Sequence, residues 1–465
     1  MADEIPTVQI LDKKNYFQQA LVPFPDALPY PPLGPSSLRL RTSVLSLTVN
    51  NFTYAALGTL RNWWDVHPLP EGTPAPYNDG AKYGRISAWG YAEVLESTVP
   101  SIPRGSHLWG YVPLGTLAQD LEVRLHDDIP DQVFVTNGYR QHVMPIYNRY
   151  FVYAPSSSSS SSSSDRGAAI AHKTPAVAHD AILRVMHATA FLMADFVFSS
   201  SASRVVAPDG GPDDAWGAGD ADLRDATVLI FAPGSKAAVI FASLLAQRRK
   251  RTTRRSDEKD EAAEEDEGRP RRIIGVSSEA SRAFVQGTGV YDGVLLTSAA
   301  DPVAAVADVV VEEDSGSSSS SSSSSGRKLV VFDFGGRAGV GPRWAAKLAE
   351  KKKKKKHPAD KFLFVGVGSE VLDPSAVSQV AARARQAPPY PATRVNADDM
   401  RRRAIEKLGE ERYWAEEGRS WEQFRDRGIQ GLGVSWGEGM QDVVKGWDRL
   451  ARGEVLPSEG LVYKL

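Results

Sequence analysis

The sequence predicts an α/β chain: a β-rich N-terminal domain followed by a doubly wound parallel sheet with helices on both faces. Three observations carry this. The first 150 residues alternate in short strand-like stretches divided by proline and glycine. From residue 180 short apolar runs alternate with helix-like segments. Hydrophobic residues make up 42% of the 465, enough for two cores. The expected division places one domain at residues 1–180, with a C-terminal return at 453–465, and the other at 181–452.

Residues 38–50 (LRLRTSVLSLTVN) alternate like a strand, and 84–96 and 107–116 read as further strands. Residues 181–198 carry apolar side chains at helical spacing. ATVLIF (226–231) is a short continuous apolar run, as expected of a strand buried on both faces. A helix follows at 235–247, a strand at 272–276 (RIIGV), a helix at 281–288 and a strand at 293–296 (GVLL). KLVVFDF (328–334) and KFLFVGV (361–367) are two more strands. Strands alternating with helices imply parallel pairing through right-handed crossovers. Beyond 397 the expectation is helical, at 397–408, 420–428 and 440–452, and then extended to the end. Four segments read as solvated insertions, near 156–164, 248–272, 315–326 and 349–358. They are two serine tracts, a basic–acidic–basic block and a run of six lysines. Such stretches bury too little to offset the entropy of ordering them.

Charge and cysteine usage exclude several classes. With 55 basic and 57 acidic residues, net −2, nothing general favours nucleic acid or a membrane surface as partner. No basic stretch followed by an apolar one opens the chain, so no secretory signal is expected. The most apolar long stretch, 182–198, carries Arg184, His187 and Asp195 and is too short and polar to span a bilayer. A cytoplasmic protein acting on a small molecule is the default expectation. There is no cysteine, hence no disulfide, thiolate zinc ligand or cysteine nucleophile. The eight histidines form no H-E-x-x-H and there is no G-x-S-x-G elbow, so no metal site is expected.

The site-bearing feature is TVLIFAPGSKAAVIFASLL, residues 227–245. In a Rossmann unit the turn after the first strand lets backbone approach a pyrophosphate, and the helix N-terminus supplies free N–H groups. Ala232, Gly234, Ser235 and Ala237 are small enough, the Ser235 hydroxyl can donate, and Lys236 adds charge. The full G-x-G-x-x-G is absent and Pro233 removes a donor, so a purely structural turn stays open beside a phosphate site. At the end of the second strand, Ser277 and Ser278 with Arg282 one turn on suit a ribose 2′-phosphate, which favours NADPH. A serine N-cap is the competing reading. Asp333 and Gly335 end the fourth strand, Gly366 and Gly368 the fifth, where ligands of open α/β sheets lie or where chains simply turn. In the β-rich part, Asn51 and Tyr54 follow a strand, and Tyr147 and Asn148 precede the first serine tract. A reductase needs donors aimed at the oxygen on which charge develops, and these four are the candidates.

These stretches together resemble a known family. The order of elements is similar to the medium-chain dehydrogenase/reductase superfamily: a GroES-like β domain, a Rossmann domain and a return to the first. More closely, VNNFTYAALG (49–58), WGYAEVLES (89–97), HLWGYVPLG (107–115), MPIYNRY (144–150), FAPGSKAAVIFASLL, EASRAFVQGTGVYDGVL (279–295), the 421–447 region and the closing GLVYKL resemble the domain-of-unknown-function 2855 family, which is quinone-oxidoreductase-like. The resemblance implies a zinc-independent, NADPH-dependent oxidoreductase passing hydride to an α,β-unsaturated carbonyl or quinone, and a homodimer as in related reductases. A trans-acting enoyl reductase shares this chemistry. A non-catalytic, reductase-like binding scaffold is the alternative from another class.

Overall fold

The computed structural model describes residues 5–155, 166–224, 226–255, 268, 270–311, 328–355, 361–368, 373–376 and 387–465. Two units emerge: one comprises Met1–Val185, Val371–Arg383 and Gly433–Leu465, the other Met186–Glu370 and Ala384–Leu432.

The first unit contains β1 (Thr7–Asp12), β2 (Gln19–Pro23), β3 (Ser37–Leu47), α1 (Val49–Ala56), β4 (Tyr83–Gly84), β5 (Ser87–Ser97), β6 (His107–Pro113), β7 (Gln119–Leu125), β8 (Gln132–Val135), β9 (Arg149–Tyr153), α2 (Arg166–Ala171) and most of α3 (Pro175–Leu192). Antiparallel pairing runs β3-β5-β6-β9-β8-β7, and β7 pairs back onto β3, closing a barrel. The β3–β5 pairing carries two bulges, one that leaves Leu95 of β5 unpaired and one that leaves Ser43 of β3 unpaired. A bulge bends a strand, and closure removes exposed edges. This is the GroES-like part. The strand expected over 38–50 ends at Leu47, because the next residue caps a helix. Thr48 accepts from the Asn50 N–H, and Asn51 Oδ1 accepts from the Thr48 N–H.

The second unit contains α4 (Ala218–Ala221), β10 (Thr227–Phe231), α5 (Lys236–Arg255), β11 (Arg272–Ser277), α6 (Glu279–Gly287), β12 (Gly293–Leu296), α7 (Pro302–Val311), β13 (Leu329–Phe334), α8 (Val340–Lys355), β14 (Phe362–Gly368), β15 (Ala392–Arg394), α9 (Ala397–Leu408) and α10 (Glu410–Arg427). Its six strands are all parallel, in the order β12-β11-β10-β13-β14-β15. Counted from β10 this is 3-2-1-4-5-6, the Rossmann order. Phe231, Val276 and Val331 pack on one face against Val306 of α7 and Trp344 and Leu348 of α8. On the other face Phe332 meets Phe198 and Phe241 of α5, with ring centroids at 5.1 and 4.9 Å. Helices on both faces explain why β10 is buried at all five positions.

Two expected insertions are corrected in part. α5 continues to Arg255, into the basic block that began the 248–272 segment. Arg248 is buried there and donates to the carbonyls of Ala194 and Phe198. α8 likewise runs through the lysines to Lys355, with Leu348 and Ala349 buried. Lysine and arginine are good helix formers, so a charged run following a buried face extends the helix. The serine tracts at 156–164 and 315–326 lie outside the described residues.

The chain ends with β16 (Gly433–Glu438), α11 (Gly439–Ala451) and β17 (Glu459–Lys464). β17 pairs antiparallel with β3, and β16 pairs parallel with β17. The return to the first unit therefore begins at Gly433 rather than at 453. α11 fixes it: Trp447 Nε1 donates to the Tyr16 carbonyl at 3.1 Å, and Asp448 accepts from Gln19 at 2.7 Å. Among the described residues no helix is long and apolar enough to cross a membrane, and no group of three His, Asp or Glu is placed to hold a metal ion.

Candidate functional site

The strand order reverses between β10 and β13, and a crevice at such a switch point is where open α/β sheets bind ligands. The carboxyl end of β10 leads into the turn 232–235. Ala232 has φ of 52°, a left-handed conformation that favours glycine. The Ser235 N–H donates back to the Ala232 carbonyl at 2.9 Å, and the Ser235 hydroxyl accepts from the Ala238 N–H at 3.3 Å, capping α5. Among the described residues, the Gly234 and Ala237 N–H groups donate to no protein acceptor. Ser235, Lys236 and Ala237 are half-buried, within reach of solvent. The turn thus presents backbone donors and the positive end of a helix of 20 residues.

The neighbouring strand ends contribute as follows. Ser277 closes β11, buried, with its hydroxyl donating to the Ser278 carbonyl at 3.0 Å. Ser278 is exposed at the start of α6, and its hydroxyl lies 3.3 Å from that of Ser281. Arg282 is exposed, 3.9 Å from Glu279. At the end of β13, Asp333 Oδ1 accepts from the Gly335 and Gly336 N–H groups at 3.0 and 2.6 Å. Asp333 therefore shapes the turn, with Gly335 at φ 107°. Gly368 lies close under β13: a Cβ there would stand 2.7 Å from the Phe334 carbonyl oxygen. Gly366 faces the side chain of Arg394, 3.5 Å from where its Cβ would be. Arg394, at the end of β15, is a cation that sequence reading missed, since a three-residue strand leaves no periodic signal.

The four candidates in the first unit are buried. Asn51 Oδ1 is spent on Thr48, and its Nδ2 donates to the Ser87 carbonyl at 3.1 Å. Asn148 exchanges both amide groups with Arg140, accepting from Nε at 2.8 Å and donating to the carbonyl at 3.1 Å. Both asparagines are therefore committed to the architecture. Tyr54 and Tyr147 are brought together, with ring centroids at 6.0 Å, in a cluster with Trp63, Trp89 and Tyr111. The Tyr54 oxygen accepts from Trp89 Nε1 at 3.0 Å. Burial raises its pKa to about 12, so it keeps its proton at neutral pH.

Sequence reading also missed a polar network inside the barrel. His67 Nε2 lies 3.3 Å from the Tyr111 carbonyl. With its amide turned to suit both neighbours, Gln119 donates to His67 Nδ1 and accepts from Arg85. Nε2 then carries the proton and donates to Tyr111. Burial, with Arg140 and Arg85 nearby, holds the imidazole neutral, its pKa well below the usual range. In the second unit, Ser420 Oγ lies 3.1 Å from His187 Nε2, and Glu417 lies 3.6 Å from Nδ1. The imidazole is enclosed by Phe191, Trp421 and Phe424. Ser420 sits within α10, where helix bonding uses the backbone N–H groups that an oxyanion would need. This row is packing.

The fold is that of a two-unit protein, a GroES-like barrel and a Rossmann sheet whose first strand–turn–helix opens at its switch point. The chain belongs to the family described as "Protein of unknown function (DUF2855)", matched over residues 45–456. No curated protein matches it. Among solved structures it is similar to the CurF ER cyclopropanase from the curacin A biosynthetic pathway, 11% identical over 99% of both chains, TM-score 0.50. Others are CurA in complex with NADPH from Vibrio vulnificus, 12% identical over 96% of this chain and 94% of that one, TM-score 0.45, and the Etr1p/NADP/crotonyl-CoA complex, 10% identical over 99% and 100%, TM-score 0.47.

Proposed function

We propose that this protein is a zinc-independent, NADPH-dependent reductase of α,β-unsaturated carbonyl or quinone-like substrates. The observation that carries the reading is the 3-2-1-4-5-6 sheet with Gly234 and Ala237 N–H groups at its switch point that have no partner among the described residues. These donors, with the Ser235 hydroxyl, would hold the pyrophosphate. Ser278 and Arg282 would hold the 2′-phosphate, in a place where no Asp or Glu ends β11. NADPH when bound supplies a hydride. Tyr54, protonated through neutral pH, is the group of the barrel that would hydrogen-bond the substrate oxygen as negative charge develops. Asn51 and Asn148 act behind it, by fixing backbone around the tyrosine cluster.

Titration of the purified protein with NADPH and NADH tests the reading. Tight binding selective for NADPH is expected. Arg282→Ala should weaken NADPH by about 10- to 100-fold and leave NADH nearly unchanged, the loss of a charge-assisted contact of ~1.5–3 kcal/mol. Absence of binding for both nucleotides would sink the reductase and leave a scaffold, a reading the proline in the turn favours, since Pro233 offers no N–H.

A further inference from the structure

We infer that Tyr291 is the positioning residue of the dinucleotide turn, a hydroxyl clamp that keeps the Ala237 N–H turned toward the ligand. The inference rests on the reductase reading above. Tyr291 lies between α6 and β12, and its hydroxyl donates to the Pro233 carbonyl at 2.7 Å. That carbonyl is four residues before Ala237 and is the acceptor the Ala237 N–H would find if the helix began two residues earlier. Among the described residues that bond is not formed, and the phenol engages the carbonyl in its place. Burial holds the Tyr291 phenol protonated, so it acts as a donor.

The clamp has a reason to exist. A turn rich in glycine can adopt its left-handed residue without strain, but here Ala232 does so at φ 52°. Two contacts oppose relaxation. Pro233 packs over Gly275 of β11, where a Cβ would come within 3.1 Å of the proline ring and 3.2 Å of Val285. The phenol then fixes the carbonyl of the same proline. Tyr291 thus replaces, by a side chain from the next βα unit, part of the order that the missing glycines would provide.

Tyr291→Phe keeps the ring and removes the bond. The expected result is an NADPH dissociation constant raised by about 3- to 10-fold, the size of one neutral hydrogen bond. Amide exchange of peptides covering 232–238 should quicken while that of β10 and β13 stays as it was. Wild-type protein that binds NADPH, together with a variant that matches it in affinity and exchange, overturns the clamp alone. A variant that loses protection throughout the sheet and unfolds at lower temperature also overturns it, because the tyrosine then serves only the core. Wild-type protein that binds no dinucleotide overturns the clamp and the reductase together.

Discussion

His67 shows how one side chain can set a pH limit on the barrel. Its imidazole is buried at 1% exposure and donates to a backbone carbonyl in its neutral form. The folded-state pKa lies well below the unfolded value of 6.5, so the unfolded chain takes up a proton that the folded chain refuses. Stability from this group is complete above pH 6.5 and falls as pH drops below it, by up to ~1.4 kcal/mol per pH unit. Chemical denaturation between neutral pH and pH 5 should show that acid slope, and His67→Gln should flatten it. An unchanged slope in the variant would assign the acid limb to other groups. None of this was legible in the sequence, where His67 is one of eight histidines among prolines and aspartates. Tertiary burial, not local pattern, gives the residue its chemistry. Ala232 was legible in part: the turn was expected from its small residues, its left-handed backbone was not.

At the scale of elements, close approach of backbones decides more than hydrophobicity does. Gly90 sits in β5 opposite Leu45 of β3, and a Cβ there would lie 2.0 Å from the Val44 carbonyl oxygen. The obstacle is backbone in the strand that closes the barrel, so no rotamer change relieves it. Gly90→Ala should destabilise by about 3 kcal/mol or more, as severe overpacking does. A thermal midpoint equal to that of the wild type would mean that the β3 bulge at Ser43 absorbs the methyl. Apolar runs made β10, β11, β12, β13 and β14 readable from sequence, since strands buried on both faces have few polar interruptions. The ends of α5 and α8 were misread because charged helix turns and charged loops share a composition. Likewise β15 is too short for a period to show.

At the scale of the whole chain, five of the six strands of the parallel sheet could be read along the sequence, but their order could not. The alternation from 226 to 367 implies parallel pairing, yet which strand flanks β10 on each side follows only from the packed sheet. That order is what brings scattered candidates to one edge of the sheet. The carboxyl ends of β10, β11 and β13 bring the segments 232–237, 277–282 and 333–336 to one edge of the sheet, although some hundred residues separate the first from the last. The amino ends, at Thr227, Arg272 and Leu329, lie at the opposite edge. A dinucleotide seated at the switch point must therefore protect one edge only. Amide exchange with NADPH at saturation should slow in peptides holding 232–238, 277–282 and 333–337 and stay unchanged in those beginning β10, β11 and β13. A nucleotide present at ~100 times its dissociation constant adds ~2.7 kcal/mol to the folded state, enough to read as a shift of the melting temperature. Protection confined to the amino edge, or to barrel peptides alone, would place the nucleotide elsewhere and remove the physical basis for assigning Ser235, Ser278 and Arg282 to it.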